Sequence, residues 1–200
     1  MMNSLSSLFV LAACCELEVS MIYESDSVEK DAVLAAAKLM AAAARTAPKT
    51  RGIDNIVTRV VDGEEKDAIA AEMRKIAAEN EGSDTERTYL RDAGNVDASA
   101  CIVLVGVLDR SAGVVPCGVC GFADCAASKA AGAHCSFNYS DLGTAACSAA
   151  AVAAAHHIDN RIMNTVGMAS KRLGLFGKPV LHGYGVPVSA KGKSVYFDRK

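Results

Sequence analysis

The stretch Ala100-Cys101-Ile102-Val103-Leu104-Val105-Gly106-Val107 is a continuous apolar run bounded by polar residues. A run of this length, rich in β-branched residues, is typical of a strand that is buried on both of its faces. We therefore expect residues 100–107 to form the central strand of a sheet. The other elements of the chain are predicted around it.

The segments before this strand alternate between helical and strand patterns. Residues 27–45 are nearly all Ala, Leu, Val and Met, which predicts a helix buried on most sides. Residues 56–61 are β-branched and predict a strand. Residues 64–79 carry an apolar face at helical spacing, with Ile69, Met73, Ile76 and Ala77 on it.

The segments after the central strand predict two helices and two closing strands. A long helix rich in small residues is expected over 138–157, and a second over 161–173, with Asp159 or Asn160 as its cap. Residues 180–188 and 195–197 are predicted strands. The chain thus reads as one α+β or α/β domain with a cysteine-bearing insertion at 112–136.

Charge and hydropathy exclude two classes of protein. Lys plus Arg (21) and Asp plus Glu (23) leave a net charge of −2, which argues against a nucleic-acid binder. No stretch contains the eighteen or so strongly apolar residues that a membrane span needs.

The first twenty residues differ from the rest of the chain. Leu11-Ala12-Ala13-Cys14 resembles a bacterial lipoprotein processing site, but no Lys or Arg precedes the short apolar stretch. We expect residues 1–20 to be an N-terminal extension, with Met21 as the true start and 21–200 as a single domain. This favours a cytoplasmic location, with lipoprotein export as the alternative.

Four of the eight cysteines form the pattern C-x2-C-x4-C-x9-C, at Cys117, Cys120, Cys125 and Cys135. A C-x2-C step in a Gly-containing loop directs two thiolates toward one metal centre, and Gly frees the backbone to fold around it. Four thiolates match the ligand requirement of a [4Fe–4S] cluster. The spacing therefore predicts an iron–sulfur site.

Two other interpretations of these cysteines remain open. The same four residues could hold a structural zinc ion, although such sites usually consist of two separated C-x2-C pairs. They could also be unliganded thiols, and His134 could replace Cys135 as a ligand. Cys101 and Cys147 lie in apolar or Ala-rich segments and are expected to be core residues.

Several stretches together resemble a prokaryotic family of unknown function (DUF2148), whose members are described as ferredoxin-domain-containing proteins. The resemblance runs from about residue 21 to 199. It rests on residues 47–55 (APKTRGIDN), 117–125 (CGVCGFADC), 141–143 (DLG), 159–163 (DNRIM) and 197–199 (FDR). The cysteine stretch also looks like the iron–sulfur module of ion-pumping electron-transport complexes and of corrinoid iron–sulfur proteins.

The order of elements is similar to that of nitroreductase-like flavoproteins, which implies an α+β sandwich, commonly a dimer with FMN at the subunit interface. Those flavoproteins carry an early Arg-Arg-Ser signature for the FMN phosphate, whereas residues 21–30 here contain no Arg. Arg51, Lys191 and Lys193 are the alternative candidates for binding that phosphate. They could equally be solvated surface cations.

The sequence thus predicts a redox protein that transfers electrons through one [4Fe–4S] cluster. With FMN bound as well, it would be a flavin-dependent, nitroreductase-like oxidoreductase. The alternative is a non-enzymatic domain with a four-cysteine zinc site for stability or partner docking. The redox partner is not identified, and the small-residue helix at 138–157 is compatible with a homodimer.

Overall fold

The strand β2 (Cys101–Val107) lies inside a four-stranded antiparallel sheet, and all seven of its residues are buried. It pairs on one side with β1 (Ile56–Val61) and on the other with β4 (His182–Ser189), while the short β3 (Asp159–Asn160) pairs with β4. The order is β1-β2-β4-β3. The prediction of a central strand buried on both faces is confirmed.

The computed structural model describes residues 22–198. The predicted extension at 1–20, with Cys14 and Cys15, lies outside the described residues. In chain order the helices are α1 (Ser25–Thr46), α2 (Gly63–Ala78), α3 (Asp84–Ala98), α4 (Cys125–Ala130), α5 (Ser136–Ala155) and α6 (Asn164–Arg172), with a 3-10 turn at Thr50–Gly52. Among the described residues, no helix is both long enough and apolar enough to cross a membrane.

Helices cover both faces of the sheet. Val103 and Val105 of β2 face α1 and α5, whereas Ile102 and Leu104 face α2, α3 and α6. This alternation follows from the two-residue period of a strand, which sends successive side chains to opposite faces. The sheet therefore separates two apolar clusters.

The helix α1 is buried on one face only. Its buried residues recur at helical spacing (Val33, Ala36, Ala37, Met40 and Ala44) and pack in the cluster that it shares with α5. On the opposite side Leu39 is 52% exposed. The expectation that this helix is buried on most sides is wrong, because its small apolar residues are spread around the whole circumference while the described residues 22–198 cover one face of it.

Two details near the end of the chain also differ from the sequence prediction. Asp159 and Asn160 do not cap a helix, because they pair with Ser189 and Val188 as the strand β3, and α6 begins later, at Asn164. The segment around 195–197 forms a turn, and no strand is present there. The strand β1, the helix α2 and the buried face of α2 match the prediction.

Candidate metal centre

The four candidate ligand cysteines lie between the end of β2 and the start of α5. Cys117 and Cys120 stand in a loop that turns through a hydrogen bond of 2.9 Å from the Gly121 N–H to the Gly118 carbonyl, with Gly121 at φ +86°. A positive φ is readily adopted by Gly and rarely by other residues. Cys125 is the first residue of α4, and Cys135 is the N-cap of α5.

These four cysteines line one cavity, and each of them is half-buried. The walls are largely apolar, with Val119, Phe122 and Phe137 among the lining residues. The structure therefore brings together all four predicted ligands. Metal binding by these thiols stays a prediction.

The thiols do not form a closed site for one ion. Within residues 22–198 no three His, Cys, Asp or Glu side chains are grouped so that they could hold a metal ion. A single zinc ion binds each sulfur at about 2.3 Å and so draws its four ligands close together. Four cysteine thiolates would also hold a four-iron cluster, which would supply one-electron chemistry.

A chain of hydrogen bonds fixes the base of the cysteine segment. Asp109, just after β2, accepts from the Asn138 amide of α5 (3.3 Å) and is bonded to Nδ1 of His134 at 2.9 Å. His134 is exposed and directly precedes Cys135. The imidazole thus ties the residue before the fourth cysteine to the loop that precedes the first.

The same chain continues into the protein interior. The Asn55 amide donates to Oδ1 of Asn138 (3.3 Å) and to Oδ2 of Asp141 (3.2 Å), and all three residues are buried. Asp141 also accepts from the backbone N–H and the hydroxyl of Thr50, at 2.9 and 3.0 Å. A buried carboxylate is stable only when its oxygens are hydrogen-bonded, and these contacts meet that need.

Sequence reasoning missed this network. Asn55 and Asp141 lie within the quoted stretches 47–55 and 141–143, but Asp109 and Asn138 carry no recognisable spacing. They lie on three separate segments, so only the tertiary fold brings them into contact.

The Arg51 side chain contacts the backbone at the start of the cysteine segment (residues 112–136). Its guanidinium donates to the carbonyls of Ala112 (3.2 Å) and Gly113 (2.7 Å), and its own backbone has φ +56°. The structure thus gives this residue a role in holding the loop.

Lys191 lines a second cleft, between the start of α1 and the end of β4, together with Lys30 and Ser189. The Ser189 hydroxyl is buried and has no hydrogen-bond partner among the residues that the structure describes. The carboxylates of Asp26, Glu29 and Asp97 also line this cleft. Lys193 is exposed and is not part of the lining, so the three candidate flavin cations do not converge, and flavin binding by them stays a prediction.

The two remaining described cysteines differ in exposure. Cys101 is buried in β2, as expected. Cys147 is exposed on α5, so the expectation that it is a core residue is wrong. The residues of this helix are almost uniformly small, so their hydrophobic pattern does not show which side of the helix faces the sheet. The sequence therefore does not indicate whether Cys147 is buried.

The fold is that of nitroreductase-like flavoproteins. A nitroreductase with bound FMN from Bacteroides fragilis covers 90% of this chain and 84% of its own, with a TM-score of 0.57 and 11% identity. A nitroreductase with bound FMN from Desulfitobacterium hafniense covers 80% of this chain and 78% of its own, with a TM-score of 0.54 and 20% identity. The predicted fold class is confirmed.

The chain belongs to the family described as uncharacterized proteins containing a ferredoxin domain (DUF2148). The family model matches residues 131–199. An uncharacterized protein from Archaeoglobus fulgidus is 43% identical over 188 residues, which are 90% of this chain and 98% of the relative. The ferredoxin domain in the family's description supports a redox role.

Proposed function

We propose that this protein transfers electrons through one [4Fe–4S] cluster held by Cys117, Cys120, Cys125 and Cys135. The observation that carries the proposal is the convergence of these four half-buried cysteines on a single cavity. The cluster, when bound, supplies one-electron chemistry at a potential set by its surroundings.

The surroundings suit that role. Phe122 and Phe137 are half-buried and place apolar surface beside the thiols, and the local dielectric constant around a charged cluster shifts its potential. Asp109 and Asn138 close the base of the segment and hold its two ends together. The cysteines thus have apolar neighbours and a fixed frame.

A structural zinc site is the rival use of the same thiols. It is disfavoured because such zinc sites usually consist of two separated C-x2-C pairs, whereas these cysteines form one C-x2-C pair plus two single residues. The two sites differ in metal content and in colour, so one preparation separates them.

The test is anaerobic purification followed by analysis of iron, sulfide and zinc and by an absorption spectrum. The proposal expects about four iron and four sulfide per chain. Cys120→Ser should lose most of the iron, whereas Cys147→Ser, which changes an exposed thiol outside the cavity, should retain it. One zinc per chain, or iron unchanged in Cys120→Ser, would overturn the assignment.

FMN is a second candidate cofactor because of the fold and of the cleft that Lys191 lines. Lys30 and Lys191 would face its phosphate and the unpaired Ser189 hydroxyl would donate to it, although the nearby carboxylates weaken the attraction. A flavin would couple the one-electron cluster to two-electron acceptors, making the protein a nitroreductase-like oxidoreductase.

Flavin binding is tested by titrating the purified protein with FMN and following the quenching of flavin fluorescence. Lys191→Gln should weaken binding, whereas Lys193→Gln, which lies outside the cleft, should not. An unquenched titration, or equal effects of both variants, would remove FMN from the proposal and leave the cluster assignment untouched.

A further inference from the structure

A groove of about 450 Å³ crosses the outer edge of β1, away from both the cysteine cavity and the Lys191 cleft. Four cations line it: Arg45 from α1, Arg59 from β1, Arg110 from the loop after β2, and Lys178 from the loop after α6. We call it the cationic groove. Its size is that of a small-molecule site.

The charge in this groove is not balanced. Asp54 is the one carboxylate of its lining, and Arg45 holds both of its oxygens, at 2.6 and 2.7 Å. That pairing keeps the pKa of Asp54 below its ordinary value. Arg110 donates to the Asp54 backbone carbonyl at 3.0 Å. Within residues 22–198, Arg59 and Lys178 have no acidic partner, in a chain whose net charge is −2.

The Arg59 side chain reaches toward the turn that contains Gly177. Its guanidinium lies beside Gly177, whose φ of +68° is a conformation that favours glycine. Arg59 is exposed, so a dissolved anion can reach its guanidinium.

The edge of β1 is a poor template for an added strand. The Asn55 carbonyl accepts from the Leu108 N–H, so by alternation residues 56, 58 and 60 direct their backbone groups away from β2. Arg45 already donates to the Ile56 carbonyl on that side. A charged side chain bonded to an open edge hinders strand pairing, which argues against an extended peptide as the occupant.

From these observations we propose that the cationic groove binds a small anion that carries phosphate groups. Guanidinium groups match phosphate oxygens through paired N–H donors, and Lys178 adds a point charge. The site is independent of the cluster and of FMN. Arg110 lies between the two sites in sequence, since its neighbour Ser111 lines the cysteine cavity.

The test is calorimetric titration of the purified protein with inorganic pyrophosphate, at an ionic strength held constant with sodium chloride. Saturable binding of one pyrophosphate per chain is expected. Arg59→Gln and Lys178→Gln should each weaken it about fivefold, the loss expected for one partly exposed charge-assisted contact. Lys38→Gln, an exposed lysine of α1 outside the groove, is the matched control and should bind like the wild type.

Three outcomes would overturn the proposal. The first is the absence of heat beyond that of the salt control. The second is an equal loss in Lys38→Gln, which would show general attraction to a cation-bearing surface. The third is binding of a short glutamate peptide through Arg59 and Lys178 while pyrophosphate fails to bind, which would identify an acidic protein segment as the occupant. Far-UV circular dichroism of each variant verifies that the fold is intact.

Discussion

The Asn138 amide donates a hydrogen bond of 3.3 Å to the Asp109 carboxylate, and these two residues stand on either side of the cysteine segment. Asp109 precedes the first of the four cysteines and Asn138 follows the last. The contact therefore holds the two ends of this long loop together. The hydrogen bond offsets part of the conformational entropy that the chain loses when the ends of the loop are joined. Asn138 is buried at 1% exposure, whereas the Asp109 carboxylate at the other end of the bond is exposed.

Replacing Asn138 by alanine should destabilise the protein by about 1–3 kcal/mol, since the Asn55 amide loses one of its two acceptors and Asp109 loses its link to α5. Urea denaturation measures the change in the free energy of unfolding. Thr144→Ala is the control on the same helix, because Thr144 is exposed and its hydroxyl donates to the Ser140 carbonyl of its own helix. Equal stabilities of the two variants would contradict the structural role of Asn138.

Two helical glycines should respond to alanine in opposite directions. A Cβ on Gly167 of α6 would overlap the backbone carbonyl of Gly183 in β4, so α6 would have to move off the sheet. Gly167→Ala is expected to cost about 3 kcal/mol or more, in the range of overpacked cores. Gly143→Ala in α5, where nothing lies within 4 Å of the added atom, should stabilise the protein by about 0.5–1 kcal/mol.

Thermal unfolding of both glycine variants checks this pair. A Gly167→Ala protein with wild-type stability would mean that α6 and β4 are further apart than the structure places them. A destabilised Gly143→Ala would indicate that this part of α5 contacts another molecule, such as a second copy of the chain.

The sequence predicts the elements that carry a strong hydrophobic pattern. β2 is apolar throughout because helices cover both of its faces, and α2 carries a clear apolar stripe. Asp159 and Asn160 were misassigned because a two-residue strand has no period, and its pairing with Ser189 depends on how β4 is placed. The sequence identifies α1 as a helix. Apolar residues occur all around this helix, so the sequence does not show which of its sides packs against the rest of the protein.

The candidate site also contains residues that the sequence predicts and contacts that it does not. The cysteine spacing identified four residues that do line one cavity, because they are local in sequence and their spacing is a known ligand pattern. The supporting bonds of Asp109 and Asn138, and the contact of Arg51 with the Ala112 carbonyl, join segments that are remote in sequence. Such contacts leave no local pattern, so they could be found only from the fold.

The thiols of Cys101 and Cys147 should differ sharply in reactivity. Burial raises the pKa of Cys101 to about 12, so almost no thiolate forms near pH 8, and β2 is closed to reagents on both faces. Cys147 is exposed. Alkylation of the folded protein with iodoacetamide, followed by peptide mass spectrometry, should label Cys147 and leave Cys101 unlabelled. Cys101 should become labelled only after urea is added. Labelling of Cys101 in the native protein would contradict the burial of β2.

His182 should make the stability of the protein depend on pH in a defined direction. Its ring lies near Tyr139 (6.2 Å between centroids) and edge-on to Tyr184 (5.3 Å). Burial lowers its pKa below the ordinary value of 6.5, and the positive charge of Lys171 lowers it further. Between the folded and unfolded pKa values the unfolded chain binds more protons. This contribution to stability is therefore fully present above about pH 6.5 and is lost as the pH falls through that window.

His182→Phe isolates the effect, because phenylalanine can keep the aromatic contacts with Tyr139 and Tyr184 but carries no ionisable group. Urea denaturation at pH 8 and at pH 5 gives the free energy of unfolding of both proteins. The wild type should lose more stability than His182→Phe between the two pH values, since only the wild type must bring a protonated imidazole into a partly buried position beside Lys171. If the two proteins lose the same amount, the pH dependence originates elsewhere and His182 does not contribute to it.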